Sequence, residues 1–547
     1  MVKRLIITTV LIGLLSISCI SKTQTAAKTI IVKPTVHMQT TISTLRPLKV
    51  GAFYFTGWDS PERWSLIKQF GDRDPVLGYY RDDSPKVQDW HIRQATQHGI
   101  SFWVFDLYYD HRTGNMMNSM RALDAGFLRA TLCNKMDFAL MWCNEENRKP
   151  DYTKEQLLQL ARTVGTRYLS RKNYLRTSDG RNVFGFTRPD RLISEFGVDG
   201  TRDILEAMNN EAKQWGGLFF ICIKNPTAGE LTELKNAGFN ASTLYSYDAY
   251  GLPAGQKEAP YDSILPTIEP MYRKAAGERV LPVIPMVSPG WDSRPWYSKE
   301  SAIVPNSVDH AIYRTGSTPK KFEQMCKSLK AYVDPGLNMM MVGTWNEFGE
   351  GSYIEPTKQR GCTYLDAMER VFFPGKFIPH TVAVPTAKEL TQLDFANIPT
   401  PDELTAPKSG NLIVNPGFER DFGWTYFDSS PILYSTNIVH SGKRAISLAK
   451  ALGGLKVMSL IEPEAGKTYN VSAWVYGKVS MVSALFGKDG YSYQPIVDGG
   501  QEGSWQKLEG KLTINDPKVS SFDLEFVPVS VNVIIDDVSV SLNDGSG

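Results

Sequence analysis

From Leu48 to about Pro374, short apolar runs alternate with stretches of helical period. The runs are Val50–Trp58, Ser101–Tyr109, Asp137–Glu145, Val183–Thr187, Leu218–Lys224, Ala241–Tyr247, Val280–Val287 and Met339–Trp345. Near-continuous apolarity is what parallel strands buried on both faces require. Between two of them, Ser84-Pro85 opens a helix carrying Val87, Trp90, Ala95 and His98, and Gly99 stops it. Thr153 to Leu160 reads as another helix. Eight such units predict an α/β chain whose first domain is a (β/α)₈ TIM barrel over residues 48–375. A doubly wound open sheet is the competing arrangement, but no Gly-rich phosphate loop follows any run.

From Phe377 the chain turns to Pro, Thr and Ala without sustained period, which predicts a linker over 376–410 with a short helix near Ala387–Leu393. Beyond Asn411 the pattern switches to alternation. Thr468 to Tyr476 is a half-buried strand, and Phe522–Phe526 and Ile534–Leu542 repeat the theme. Short strands separated by Gly, Asp and Asn turns predict an all-β jelly-roll sandwich over 411–547.

The first residues follow neither pattern. Lys3 and Arg4 precede an apolar run from Leu5 to Leu15, too short to span a bilayer and of signal-peptide length. It ends in Leu15-Ser16-Ile17-Ser18-Cys19, which resembles a bacterial lipobox, with Ser16 where that motif usually has Leu. This implies a signal peptide over 1–18, lipidation at Cys19 and a polar tether over 19–47. The expected location is a bacterial membrane, the outer one by preference, facing periplasm or cell surface. An ordinary signal peptide with an incidental Cys is the alternative.

Charge narrows the partners. A net charge of +2 leaves no electrostatic footprint for nucleic acid. Apart from Cys19, the cysteines (Cys133, Cys143, Cys222, Cys326, Cys362) lack metal-ligand spacing, which reads as mostly buried thiols, with a Cys133–Cys143 pair left open. The seven His form no zinc-type cluster, so no catalytic cofactor is expected.

In such a barrel the chemistry sits at the C-terminal ends of the strands. Polar and aromatic residues gather there: Tyr54 and Trp58, Asp106 and Tyr108, Asn144 and Glu145, Tyr245 and Tyr247, and Trp291. These are candidate substrate contacts, with Asn346, Tyr353 and Glu355 after the last strand. That strand runs into Gly343-Thr344-Trp345-Asn346-Glu347-Phe348-Gly349-Glu350-Gly351-Ser352-Tyr353-Ile354-Glu355-Pro356. Cleaving a glycosidic bond needs one protonated carboxyl for the leaving oxygen and one ionised carboxylate to generate a nucleophile. Glu347 and Glu350, three residues apart past a strand end, can face one cavity.

The run 346–356 resembles the Asn-Glu-Trp-x-Glu-Gly-x-x-Ile/Leu-Glu-Pro signature of family-99 glycoside hydrolases, the endo-α-mannosidases. It is equally similar to the WbsX-like family, whose members carry the name of polysaccharide-biosynthesis glycosyltransferases. Gly78-Tyr79-Tyr80, Asp89-Trp90 and Gly99-Ile100-Ser101-Phe102 add to the second likeness. The resemblance implies that Glu350 is the general acid and Glu347 the base acting on the sugar 2-hydroxyl, with retention. It also implies a tyrosine near the reacting sugar, Tyr245 or Tyr247. Phe348 replaces the usual Trp and Gly349 stands where family 99 often has His, so mannan specificity is not inherited with the acids. Asn411 to Glu419, Trp424, His440-Ser441-Gly442 and Asp536 to Ser539 resemble carbohydrate-binding jelly rolls, which implies a structural Ca²⁺ at Glu419 and Asp537. Sugar-stacking candidates there are Trp424, Tyr426, Trp474, Tyr476, Tyr491, Tyr493 and Trp505, with Trp474 and Trp505 the first choices for core.

These readings converge on an exported, retaining glycoside hydrolase of an α-linked poly- or oligosaccharide, α-mannan-like by resemblance alone. A non-catalytic glycan-binding lipoprotein and a glycosyltransferase are the alternatives.

Overall fold

The computed structural model describes residues 47–111, 114–144, 152–297, 311–378, 383–395, 398–427, 432–487 and 490–543. Cys19, the expected signal peptide, nearly all of the tether and Glu145 lie outside the described residues.

Eight parallel strands form one sheet: β1 (Lys49–Tyr54), β2 (Ile100–Leu107), β3 (Asp137–Trp142), β4 (Asn182–Phe186), β5 (Leu218–Ile223), β6 (Ala241–Thr243), β7 (Met286–Val287) and β8 (Met339–Val342). Their order is β7-β8-β1-β2-β3-β4-β5-β6. A parallel bridge between Ser242 and Val283 joins the two ends, with Ile284 N donating to Ser242 O at 2.8 Å. The sheet therefore closes into a TIM barrel. Each strand falls inside or within a residue of an apolar run, and every run except Val280–Val287 overshoots its strand at the C-terminal end, where the chain leaves the ladder to build the rim. Strand side chains point alternately into the barrel and onto the surrounding helices, and both environments are dry, so Met339 to Val342 are all buried.

Helix α1 (Pro61–Lys68) follows β1, and α2 (Pro85–Gln97) leads to β2. Each has Pro in its first turn, where a missing N–H costs nothing. Gly99 follows α2 at φ +83°.

The stretch between barrel and sandwich is not a loose spacer. Helix Ala387–Leu393 has a capping box of Thr386 and Glu389, Leu393 is buried, and Phe395 N donates to Tyr79 O on the barrel at 2.9 Å. The segment is strapped along the barrel wall.

From Trp424 to Leu542 the strands form two antiparallel sheets of six and five, packed face to face around Phe418, Leu448, Met481 and Phe526. Thr468–Tyr476 is the strand that the alternation marks. The run at Phe522–Phe526 is instead two strands, Val519–Phe522 and Glu525–Pro528, parted at Asp523. Cys133, Cys143, Cys222, Cys326 and Cys362 are all free thiols. Among the described residues no helix is long and apolar enough to cross a membrane.

Candidate active site

β8 ends in a small antiparallel hairpin that presents the two acids. Asn346–Glu347 pairs with Ser352–Tyr353, and the 3₁₀ turn Phe348–Glu350 lies between them. Gly351 closes the turn at φ +62°, in the left-handed region that glycine enters without penalty. Glu347 N donates to Thr344 Oγ1 at 2.9 Å, which orients the base of the hairpin. The buried Arg73 guanidinium donates to Phe348 O at 2.8 Å and to Asp292 O at 3.0 Å, and pairs with the Asp292 carboxylate. Asp292 N donates in turn to Glu350 O. The turn carrying Glu350 is thus clamped to the loop after β7.

Both acids line a cavity of about 1240 Å³ at the C-terminal end of the barrel. Asp106 and Tyr108 reach it from the end of β2, Tyr245 from β6 and Trp291 from β7. Glu347 is 3 % exposed and accepts from Trp296 Nε1 at 3.1 Å. Burial pushes its carboxyl well above the usual range, and the Asp106 charge adds to that, against the Trp296 hydrogen bond and the Arg63 charge. Asp106, 2 % exposed, accepts from Tyr245 Oη at 3.0 Å. Two carboxyl groups that cannot both ionise cheaply thus face the same floor, and each has a fixed donor.

Trp296 is held by a stack. Trp58 lies against Trp64 with ring centroids 4.0 Å apart and against Trp296 at 5.7 Å. Gly349 lets the indole in: a Cβ there would stand 1.8 Å from Trp296 Cε2. The indole occupies the space that a larger residue at 349 would need.

The structure corrects the list of substrate contacts. Asp106, Tyr108, Tyr245 and Trp291 line the cavity with Glu347 and Glu350. Tyr54 and Glu355 do not. Tyr54 Oη bonds His91 Nδ1 at 2.9 Å, and Glu355 accepts from Tyr80 Oη at 2.7 Å and pairs with His91 Nε2 at 3.2 Å, all inside the barrel wall. Trp58 is wholly buried behind Trp296, its Nε1 donating to Asn346 O at 2.9 Å. Asn346 spends both side-chain atoms on the backbone of Phe55, at 2.9 and 3.0 Å. Asn144 braces the loop after β4 through Arg188 N at 2.8 Å and Arg188 O at 2.9 Å. Tyr353 is buried, with its Oη donating to Asp72 O at 3.2 Å. Tyr247 Oη reaches Tyr272 at 3.0 Å and the carbonyl of Met286, so Tyr245 is the tyrosine that reaches the cavity. These residues hold the frame, and their neighbours face the cavity. Phe55 and Trp296, which sequence reasoning missed, line the cavity. The signal for Trp296 was its place five residues after Trp291 in one loop.

In the sandwich, Trp424 and Tyr426 are core, whereas Trp474 and Trp505 are only half-buried. Trp474 stacks on His440 at 3.9 Å. Tyr491 and Tyr493 are 56 % and 58 % exposed, with rings 5.5 Å apart on the strand Gly490–Gly499. Glu419 Oε1 accepts from Lys443 N at 2.8 Å, while Asp537 accepts from Ser441 Oγ at 2.8 Å and bonds His440 Nδ1 at 2.6 Å. Both carboxylates thus bond the segment 440–443, and a Ca²⁺ held there, taking six to eight oxygens, would need further oxygen ligands beside these two. Among the described residues, three potential metal ligands converge at His98, Asp366 and Glu369, and His98 precedes β2, at the face opposite the cavity.

A buried pair, Asp523 and Glu525, lies where the two short strands part. Burial, then the Asp523 charge, pushes the Glu525 carboxyl up to about 7. The folded protein holds that proton to a higher pH than the unfolded chain does. The resulting stability is complete below about pH 4.5 and is lost as pH rises through 7. Glu525→Gln should therefore flatten the fall in melting temperature of the full chain between pH 4.5 and 7, by about a few degrees. An unchanged pH slope in scanning fluorimetry would show that the group does not titrate there.

With this geometry in place, comparison with known proteins identifies the family. Residues 71–368 match the family described as Glycosyltransferase WbsX. The chain belongs to that family. Residues 410–529 match a carbohydrate binding domain. The uncharacterized protein WxcX of Xanthomonas campestris pv. campestris is 22% identical over 367 residues, 61% of this chain and 48% of that protein. The chain thus spans about half the length of this curated relative. Among solved structures, the GH99 endo-alpha-mannosidase from Bacteroides thetaiotaomicron is 15% identical with a TM-score of 0.43, covering 60% of this chain and 97% of its own. The CBM22-1 xylan-binding domain of Paenibacillus barcinonensis Xyn10C is 16% identical with a TM-score of 0.22, covering 25% and 97%. The barrel thus carries the WbsX family match, and the sandwich carries the match to a carbohydrate binding domain.

Proposed function

We propose that this WbsX-family protein is a retaining glycoside hydrolase of an α-linked poly- or oligosaccharide, exported and lipid-anchored through Cys19. The observation that carries the reading is the pair Glu347 and Glu350 on one clamped hairpin in a cavity of about 1240 Å³. That volume exceeds the roughly 300–1,000 Å³ of single small-molecule sites and suits several sugar units.

Glu350 gives its proton to the leaving glycosidic oxygen. Glu347, ionised, takes the proton of the 2-hydroxyl, and that oxygen attacks C1 to form a 1,2-anhydro sugar. Water, deprotonated by Glu350, then opens the ring at C1 while Glu347 returns its proton to the 2-oxygen. Two displacements at C1 leave the configuration unchanged. Trp296 Nε1–H steadies the ionised Glu347, and Tyr245 Oη donates to Asp106 beside it.

The family's name favours a transferase as the second reading. A transferase must hold a sugar nucleotide, and the cavity opposes it: Asp106, Asp110, Asp190, Asp248, Glu347 and Glu350 line it against the cations Arg188 and Lys224. Arg188 is moreover paired with Asp190 at 2.7 Å. A diphosphate would meet excess negative charge. Incubation with α-mannans and other α-linked glycans should release oligosaccharides whose first-formed anomer, seen by NMR, matches that of the substrate. An inverted early product would refute the mechanism. Turnover only with a sugar nucleotide would establish the transferase.

A further inference from the structure

One wall of the cavity comes from outside the barrel. Phe427, just after the sandwich strand Trp424–Tyr426, lines it together with Trp291, Trp296 and Tyr297. The ring has a built seat. Phe427 N donates to Gly454 O at 2.9 Å, and the ring lies so close to Gly454 that a Cβ there would stand 2.5 Å from Phe427 Cε2. Held flat against a glycine backbone, the side chain still leaves 37 % of its surface exposed.

The sandwich carrying it is fastened to the barrel. Gly423 N donates to Glu62 Oε1 in α1 at 2.8 Å, and burial there pushes the Glu62 carboxyl up. Arg420 pairs with Glu403 in the short helix Pro401–Leu404, and Ser459 Oγ donates to Leu404 O at 2.6 Å. Upstream, Asp394 Oδ1 accepts from Tyr79 N at 2.7 Å. The position of Phe427 at the cavity is therefore set by a chain of bonds and not by a swinging linker.

We propose that Phe427 is a specificity-determining wall of the cleft, stacking on a sugar unit beyond the cleavage point, so that the sandwich completes the barrel's substrate site. Sugar rings present C–H faces that bury well on an aromatic plane while their hydroxyls stay solvated. The inference rests on the glycosidase reading for the place of cleavage, but not for the binding itself.

The full chain carrying Glu350→Gln serves to measure binding without turnover, with mannohexaose and methyl α-mannoside as probes in titration calorimetry. Phe427→Ala and Phe427→Leu should each weaken mannohexaose binding roughly tenfold, the scale of one aromatic face removed from water. Phe427→Trp should bind as the parent does, and methyl α-mannoside should be affected less than about twofold by any of them. Leu keeps the apolar contact with Gly454, so its loss isolates the aromatic face from mere folding, and the melting temperature confirms the fold. Unweakened mannohexaose binding by Phe427→Leu, equal losses for both probes, or no binding of either by the parent would overturn the proposal. A wild-type enzyme that cleaves nothing while these binding differences hold would sink the hydrolase and spare the wall.

Discussion

Glu350→Gln loses at least ~10²-fold in kcat/KM on a natural glycoside, the scale for a positioned general acid. With an activated aryl glycoside much of that loss returns. The substitution keeps the side chain's size, and the clamp from Arg73 and Asp292 grips the backbone of this turn and not the carboxyl. What disappears is the proton for the leaving oxygen, which an aryl leaving group scarcely needs. Rates on the two substrate types with the same variant check this. Equal losses on both would remove Glu350 from the role of acid.

Glu347→Gln stays inactive on both substrates, because the group it replaces acts on the sugar and not on the leaving group. Its ionisation also sets a pH limb. Burial and the Asp106 charge both hold the Glu347 carboxyl up, so the ionised base forms only at raised pH. Asp106→Asn removes the second cause and keeps an acceptor for Tyr245. The acidic limb of kcat/KM should then move to lower pH, whatever happens to its height. A limb that stays in place, or moves upward, would mean that another group controls it. An active Glu347→Gln enzyme would end the 2-hydroxyl mechanism altogether.

The barrel was legible in the sequence because parallel strands such as Met339–Val342 are buried on both sides and leave unbroken apolar runs. The hairpin carrying Glu347 and Glu350 was legible because acids, glycines and aromatics crowd into a stretch just past a strand. What pattern alone could not tell was which rim residue faces the cavity. Tyr54 and Phe55 are neighbours of similar chemistry, yet one points to His91 and the other to the cavity. Strand alternation makes that choice, and where the strand ends shifts it by one residue. The same limit applies to Tyr245 and Tyr247. Asn346 and Glu355 look like site residues by composition, and turn out to be bound to Phe55, and to Tyr80 and His91. Phe427 was beyond reach for a different reason: it meets the cavity through packing between parts of the chain far apart in sequence.

The indole of Trp296 and the bare Cα of Gly349 fill one volume between them. Neither position can drift alone during divergence. A larger side chain at 349 would collide with the ring, and loss of the ring would leave a hole beside Glu347 and strip it of its indole donor. A bulky residue at 349 would therefore need the loop after the seventh strand redrawn as well. The residue at 349 is thus tied to the course of a loop more than fifty positions earlier in the chain.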